Sequence, residues 1–385
     1  MPEQVADLAV IGLGTFGSMA AWRATRRSGV RVVGLDTYVG AHSHGSYAGE
    51  SRLYRSLYHE GSRYVPLLQE SDRLWGELEA LTGAGLLLRT GVLTVSPPDR
   101  PELAGVFASA AGFGLPHEVL DTAELARRFP QHRLSGGEIG VLDPRGGVLR
   151  SEAAVHAAQT AARAAGARLH GGNGVTAVDL TTDPVTVHTR SGTVRAGKVV
   201  VATGSTRQPL VPVPGLPPLV RRRLLLTWFL ADRPADFAPS VFPAFLRDHG
   251  PVHLFGAPTL DGATVKVATT DVWGDVPVDQ DLPGAPSRRQ LSAFGATVAG
   301  LLPGLGPEPV RVSVHQDVYT PDRTPLVVSG PDPRAVVVTG FSGHGFKMAP
   351  AVGELAVALA LGERTDSPFA VGGRPTGTRI EEGVA

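Results

Sequence analysis

The stretch "ADLAVIGLGTFGSMAAWRATRRSGVRVVGLD", residues 6 to 36, decides the fold. An apolar run ends at Ile11, glycines follow at 12, 14 and 17, a helical stretch runs to Gly29, and "VRVVGLD" closes on Asp36. That order predicts strand, glycine turn, helix and strand, a βαβ unit. The glycines fit G-x-G-x-x-G, and Asp36 stands nineteen residues after the last of them. The first glycine permits the tight turn, the second lets the backbone approach a pyrophosphate, and the third lets the helix pack closely. The helix N-terminus offers N–H groups and positive dipole to phosphate, and Asp36 is placed to accept from ribose hydroxyls. The unit predicts dinucleotide binding.

Working outward, the second strand runs into a long polar loop, "TYVGAHSHGSYAGESRLYR" (37–55), where a nicotinamide enzyme would continue with further βαβ units. This order favours FAD. "KVVVATG" (198–204), followed by Ser205, reads as a returning strand, and "AVVVTGFSGHGF" (335–346) as a second glycine-bare turn near the flavin end. Helical spacing appears in "YVPLLQESDRLWGELEAL" (64–81), "SEAAVHAAQTAARAAG" (151–166) and "AVGELAVALALG" (351–362), and "LLLRTGVLTVS" (86–96) looks strand-like. After the proline-rich crossing "RQPLVPVPGLPPL" (207–219), alternating segments such as "LLLTWFLA", "VHLFGA" and "ATVKVATTD" predict an antiparallel sheet. The expected fold class is α/β, a two-domain flavoprotein. A discontinuous Rossmann-like FAD domain takes residues 1–90, 145–215 and 320–385, and a substrate domain with a large, mostly antiparallel sheet takes 91–144 and 216–319.

Composition narrows the partners. Lys plus Arg equals Asp plus Glu at 36 each over 385 residues, with no block of like charge, so the footprint of a nucleic-acid binder is missing. The absence of cysteine excludes thiol catalysis, thiolate metal sites and any flavin held through sulfur. No run of eighteen apolar residues occurs, and the N-terminal apolar run is too short for a signal segment. A small-molecule partner, no membrane, no metal and a cytoplasmic location are the expectations.

The chain resembles the monomeric sarcosine oxidase family, with N-methyltryptophan oxidase, pipecolate oxidase and fructosyl amino acid oxidase as relatives. The resemblance runs its length and is carried by "GSYAGESRLYR", "YVPLLQESDRLWGELE", "RTGVLTV", "YTPDRTPLV" and, most specifically, "GFSGHGFKMAPAVGELAVALA" (340–360). It implies FAD contacts at Gly12, Gly14, Thr15, Phe16, Gly17, Asp36, Ser51, Arg52, Val175, Gly204, His315, Gly343, His344, Gly345 and Lys347. It further implies that Arg55 and Lys347 hold a substrate carboxylate, that Arg52 lies near the flavin ring, and that Lys266 serves oxygen activation on its far side. Lys266 within an alternating strand would otherwise read as edge protection or a snorkelling surface residue. Arg52, three residues before Arg55, would share its face if this turn is helical.

Departures from the family pattern matter too. His315 stands where the cysteine that binds flavin covalently is normally found, so the FAD is expected to be noncovalent. The gap-free register puts Asp317 at the position of an active-site tyrosine, where fructosyl amino acid oxidases carry aspartate; a slide of two residues would put Tyr319 there instead. Two further pocket positions of the family fall at Leu254 and Thr270. The resemblance thus implies a monomeric FAD-dependent oxidase that takes a hydride from the carbon beside the amine of an N-alkyl or cyclic amino acid and passes electrons to dioxygen, giving imine and hydrogen peroxide. A dehydrogenase using another acceptor, or a flavin-binding protein without amine turnover, are the alternatives.

Overall fold

Strand Gln4–Ile11 pairs in parallel with Gly192–Val201 on one side and Val32–Leu35 on the other. Leu8 and Val10 point into a cluster formed with helices Thr15–Ala24, Val65–Thr82, Ser151–Ala164 and Ala349–Ala360, while Ala9 and Ile11 point into a second cluster on the opposite face. Burial on both faces explains the unbroken apolar run, which a one-sided strand would interrupt with polar residues. The computed structural model describes residues 4–205, 210–269 and 286–371, with Trp273, Asp275, Val276 and Gly284 between the last two spans. Arg168–His170 and Ala335–Thr339 extend the parallel core, and antiparallel strands Val175–Asp179, Val185–Thr189 and Leu326–Ser329 complete eight strands.

Close packing at this sheet depends on small residues at particular points. A Cβ on Gly17 would lie 1.7 Å from the Gly12 carbonyl oxygen, and one on Gly12, at φ +86°, would lie 2.5 Å from the Ala202 oxygen. A Cβ on Gly353 would meet Met19 and the Ala20 nitrogen at 2.8 Å, which is how helices Thr15–Ala24 and Ala349–Ala360 come together.

A second, nine-stranded sheet is built from Val92–Ser96, Glu118–Leu120, Ile139–Asp143 and the strands between Val220 and Tyr319; among the described residues its only parallel pairing is Ala244–His249 with Val92–Ser96. Helix Arg288–Leu301, opened by a Ser287/Gln290 capping box, covers one face through Phe294, Val298 and Leu301. The other face carries Leu226, Trp228, Phe255 and Ala268, with Lys266 beside them. A three-stranded ribbon of Ser51–Tyr54, Gly147–Arg150 and Leu87–Leu88 links the two sheets. The single strand expected across 86–96 is therefore two, Leu87–Leu88 and Val92–Ser96, in different sheets, because Gly91 at φ +73° turns the chain between them.

Candidate active site

The glycine turn is shaped for a dinucleotide. Helix Thr15–Ala24 has Gly14 at its N-cap, no side-chain cap and no acidic residue in its first turn, so its N–H groups are left for an anion. A Cβ on Gly14 would come no nearer than 3.6 Å to protein, at the Tyr47 ring, so space above this backbone is kept for a ligand. Asp36 accepts from the Leu13 N–H at 2.6 Å and the Tyr38 N–H at 2.8 Å, with His42 Nε2 at 3.4 Å. Burial raises its pKa, but the His42 contact and these N–H bonds hold it below the usual carboxylate value. The carboxylate is thus fixed and ionised at the end of the second strand, and this cradle fits the FAD that the sequence implies. Gly204, at φ +64°, follows the returning strand, and Val175 begins a strand of the same sheet.

Arg52, Lys266, His315 and Asp317 form a second group whose members influence one another electrostatically. Arg52 donates to the carbonyls of Ser46 (2.5 Å), Ser51 (2.6 Å) and Ala48 (2.7 Å), and burial lowers its pKa to about 10. Lys266 is 5% exposed and donates to Gly49 O at 2.7 Å and Ser51 O at 2.6 Å, with Ser51 Oγ at 3.5 Å. Burial first, and Arg52 second, push its ammonium well below the ordinary lysine value against the pull of Glu50 and Glu152. The surface and edge readings of this lysine are therefore excluded by its position. His315, with a pKa lowered to about 4 by burial, is a neutral imidazole 2.6 Å from Ser313 Oγ. Asp317 accepts from the Val318 and Gly343 N–H groups; burial raises its pKa despite those bonds. Tyr319 lies two residues on in the same strand, its hydroxyl 2.8 Å from where a Gly343 Cβ would be, so both candidate registers face the same glycine.

Arg52 and Arg55 do not share a face. Ser51–Tyr54 is a strand, not a helical turn, so positions three apart point to opposite sides. Arg55 instead meets a second cluster. Its Nη1 donates to His59 Nδ1 at 2.7 Å and its Nη2 to Glu60 at 2.5 Å. Lys347 donates to the His344 carbonyl at 2.9 Å and reaches the Tyr58 hydroxyl at 3.4 Å. The Arg55 guanidinium carbon and the Lys347 ammonium lie 5.0 and 5.1 Å from the centre of the Tyr58 ring. So the two residues expected to clamp a carboxylate are brought together around one aromatic ring, 292 positions apart in the chain. Burial lowers the Lys347 pKa to about 7, with Glu60 opposing and Arg55 assisting. Burial raises Glu60, but Arg55, His59 and Lys347 outweigh it and hold the carboxylate well ionised. His344 accepts from Tyr58 at Nδ1 (2.8 Å) and donates from Nε2 to the Arg323 carbonyl (3.1 Å), and burial, against the pull of Glu60 and of that carbonyl, lowers its pKa to about 4 and leaves the ring neutral. Its two nitrogens tie the loop to Tyr58 and to the Arg323 carbonyl. The glycines around it are needed for packing: Cβ atoms on Gly340, Gly343 and Gly345 would meet Thr320, Tyr319 and Phe341 within 2.8 Å.

Leu254, expected in the pocket, is on the wrong face. It is packed under helix Arg288–Leu301 with Phe229, Val265 and Val267, and strand alternation gives the Lys266 side to its neighbour Phe255. Thr270 lies outside the described residues. The sequence reading missed Tyr58, Glu50, Glu152 and Trp228, because each acts through a partner far along the chain, and it missed His59 and Glu60, which pair with Arg55 only four and five residues away. One compositional signal supports the lysines. Only three of the 36 basic residues are Lys, at 198, 266 and 347, so two of the three are in these buried clusters. Where almost every surface cation is Arg, a buried Lys marks a place that needs a compact ammonium.

Residues 7–359 match the family described as FAD dependent oxidoreductase. The chain is 33% identical to the monomeric sarcosine oxidase of Streptomyces avermitilis over 94% of its own length and 95% of that protein. It is also 33% identical to the N-methyl-L-tryptophan oxidase of Citrobacter koseri, over 93% and 95% of the two chains. Among solved structures it is similar to NikD, described as an unusual amino acid oxidase essential for nikkomycin biosynthesis, in its open form: TM-score 0.81, 26% identity, covering 94% and 96%.

Proposed function

Because the chain belongs to the FAD dependent oxidoreductase family, we propose that it oxidises a carboxylate-bearing secondary amine, an N-alkyl or cyclic amino acid, with dioxygen as the final acceptor. FAD, when bound, supplies the acceptor for a hydride. Arg55 and Lys347 orient the substrate carboxylate, two cations on one anion with Tyr58 setting their spacing. The observation that carries the reading is that Arg55 already holds a carboxylate of the chain itself, Glu60, whose charge also acts on Lys347. No side chain is required as base if the amine binds neutral. The C–H bond breaks with its electron pair, the nitrogen lone pair forms the C=N bond of the imine, and the N–H proton is released. Dioxygen takes up the two electrons and two protons as hydrogen peroxide. Lys266 and Arg52 hold positive charge apart from the carboxylate clamp, where it favours the electron-rich state reached after substrate oxidation. The two sheets divide the labour in this reading: the mainly parallel one carries the cofactor cradle and the antiparallel one presents Lys266, His315 and Asp317.

The test is an anaerobic screen of N-methyl, cyclic and primary amino acids of both hands, read by bleaching of the flavin absorbance, followed by an aerobic peroxide assay. Bleaching by secondary amino acids, with peroxide formed in air, is expected. Failure of every carboxylate-bearing amine to bleach would overturn the reading, and bleaching without peroxide would transfer the role of acceptor to another molecule.

A further inference from the structure

Every oxygen that the Lys266 ammonium donates to belongs to the residue just before or just after Glu50: Gly49 O, Ser51 O and Ser51 Oγ. Glu50 itself has φ +73°, and the Ser51 N–H bonds back to Gly49 O at 2.9 Å, a three-residue γ-turn of the strained kind. A non-glycine residue does not keep that conformation without outside support. The support is visible on two sides. The Glu152 carboxylate accepts from the Gly49 N–H at 2.6 Å and the Glu50 N–H at 3.0 Å. The Glu50 carboxylate accepts from Trp228 Nε1 at 2.7 Å and from Arg311 at 3.1 Å.

Trp228 connects this turn to the lysine directly. In the antiparallel sheet it stands opposite Lys266 in one neighbouring strand and Arg311 in the other. The Arg311 guanidinium carbon stacks 3.7 Å from the centre of the indole ring, and the Lys266 ammonium is 5.5 Å from it. Arg311 is half exposed while Trp228 is 2% exposed, so the indole separates the buried lysine from solvent.

We propose that Glu50 and Trp228 are the positioning residues of Lys266. The γ-turn offers the ammonium two carbonyls pointing one way, the Glu50 carboxylate locked on Trp228 and Arg311 keeps the turn from relaxing, and the indole keeps water off the lysine. Its consequence for turnover rests on the oxygen-side role given to Lys266 above; its consequence for the lysine itself does not.

That independence sets the test. With only three lysines in the chain, acylation of the holoenzyme by an amine-reactive reagent, read by mass spectrometry, reports each of them separately, and Lys198 serves as the reference. In the native enzyme Lys266 should resist. In Glu50→Ala it should label about tenfold faster, the worth of one lost charge-assisted bond, with Lys198 unchanged. Glu50→Gln, which keeps an acceptor for Trp228 Nε1, should restore protection. Trp228→Phe, which keeps the ring and loses only the N–H, should lie between and guards against a folding defect in the alanine variant. In stopped flow, Glu50→Ala should slow reoxidation by oxygen more than reduction by substrate, the same pattern expected of Lys266→Met. Protection of Lys266 in both Glu50→Ala and Trp228→Phe would overturn the proposal. Loss of protection together with normal reoxidation in Lys266→Met would overturn the oxygen-side role and uphold the brace.

Discussion

The Arg55 guanidinium donates to the Glu60 carboxylate at 2.5 Å, so one half of the substrate clamp is engaged by the chain itself before any ligand arrives. A ligand carboxylate competes with Glu60 for the same cation. Glu60→Gln should therefore lower the stability of the ligand-free protein, because removing the carboxylate leaves the buried Arg55 guanidinium without its charge partner. It should also tighten binding of a simple carboxylate inhibitor. The check is the inhibitor-induced rise in Tm, expected to be larger in Glu60→Gln than in the native protein; an equal rise in both would show that Glu60 does not compete.

Removing either Lys347 or Arg55 should weaken carboxylate ligands by about one to two decades in Kd, the worth of one charge-assisted bond, and should hardly affect amines that lack the carboxylate. The double variant should lose less than the sum of the singles, because two cations act on one anion. Titrations of flavin absorbance with paired ligands give all four values.

The lowered pKa of Lys347, about 7, gives that clamp a pH dependence. The ligand-binding form is the ammonium, so affinity for an amine-free carboxylate should be full below pH 7 and fall as pH rises through 7 and above. His59 and His344, neutral with pKa values near 3 and 4, and Glu60, ionised throughout, do not titrate in this window. For stability the sign is opposite. A lysine whose folded pKa is depressed below its unfolded value binds fewer protons folded than unfolded, so its destabilising contribution is present below pH 7 and is relieved as pH rises from 7 toward 10.5. Inhibitor affinity measured from pH 6 to 9 should show proton uptake on binding in the native enzyme and none in Lys347→Met.

Gly17 and Gly14 belong to one motif and should respond differently. Gly17→Ala puts a Cβ 1.7 Å from a backbone oxygen and should destabilise the protein by more than about 3 kcal/mol, whether or not FAD is present. Gly14→Ala makes only ordinary contact with the Tyr47 ring at 3.6 Å, and should leave the Tm of the FAD-free protein unchanged while weakening FAD binding. Thermal melts with and without FAD separate the two effects.

With no cysteine in the chain and His315 turned to Ser313, the FAD should be released by acid or heat with no peptide attached. A precipitate that stays yellow after washing would identify a covalent bond.

The sequence by itself determined what short-range sterics dictate. Gly17 must be glycine because the turn and strand that crowd it, Gly12 and Val10, lie within a dozen residues, and a local pattern suffices to read it. The buried lysines were also legible, by the family motifs around 266 and 347. Tertiary structure decided the rest, because the remaining roles are set by which face of a strand a side chain occupies and by what lies across from it. Arg52 and Arg55 go to separate clusters because Ser51–Tyr54 is drawn into a ribbon with Gly147–Arg150, a pairing nearly a hundred residues away. Phe255 takes the pocket side in place of Leu254 because a pleated strand reverses faces at every residue, and a one-position error in register inverts the assignment. Glu50 and Trp228 read as ordinary surface or sheet residues until the fold brings them to Lys266, since a hydrogen bond between side chains far apart in sequence leaves no periodicity in the chain.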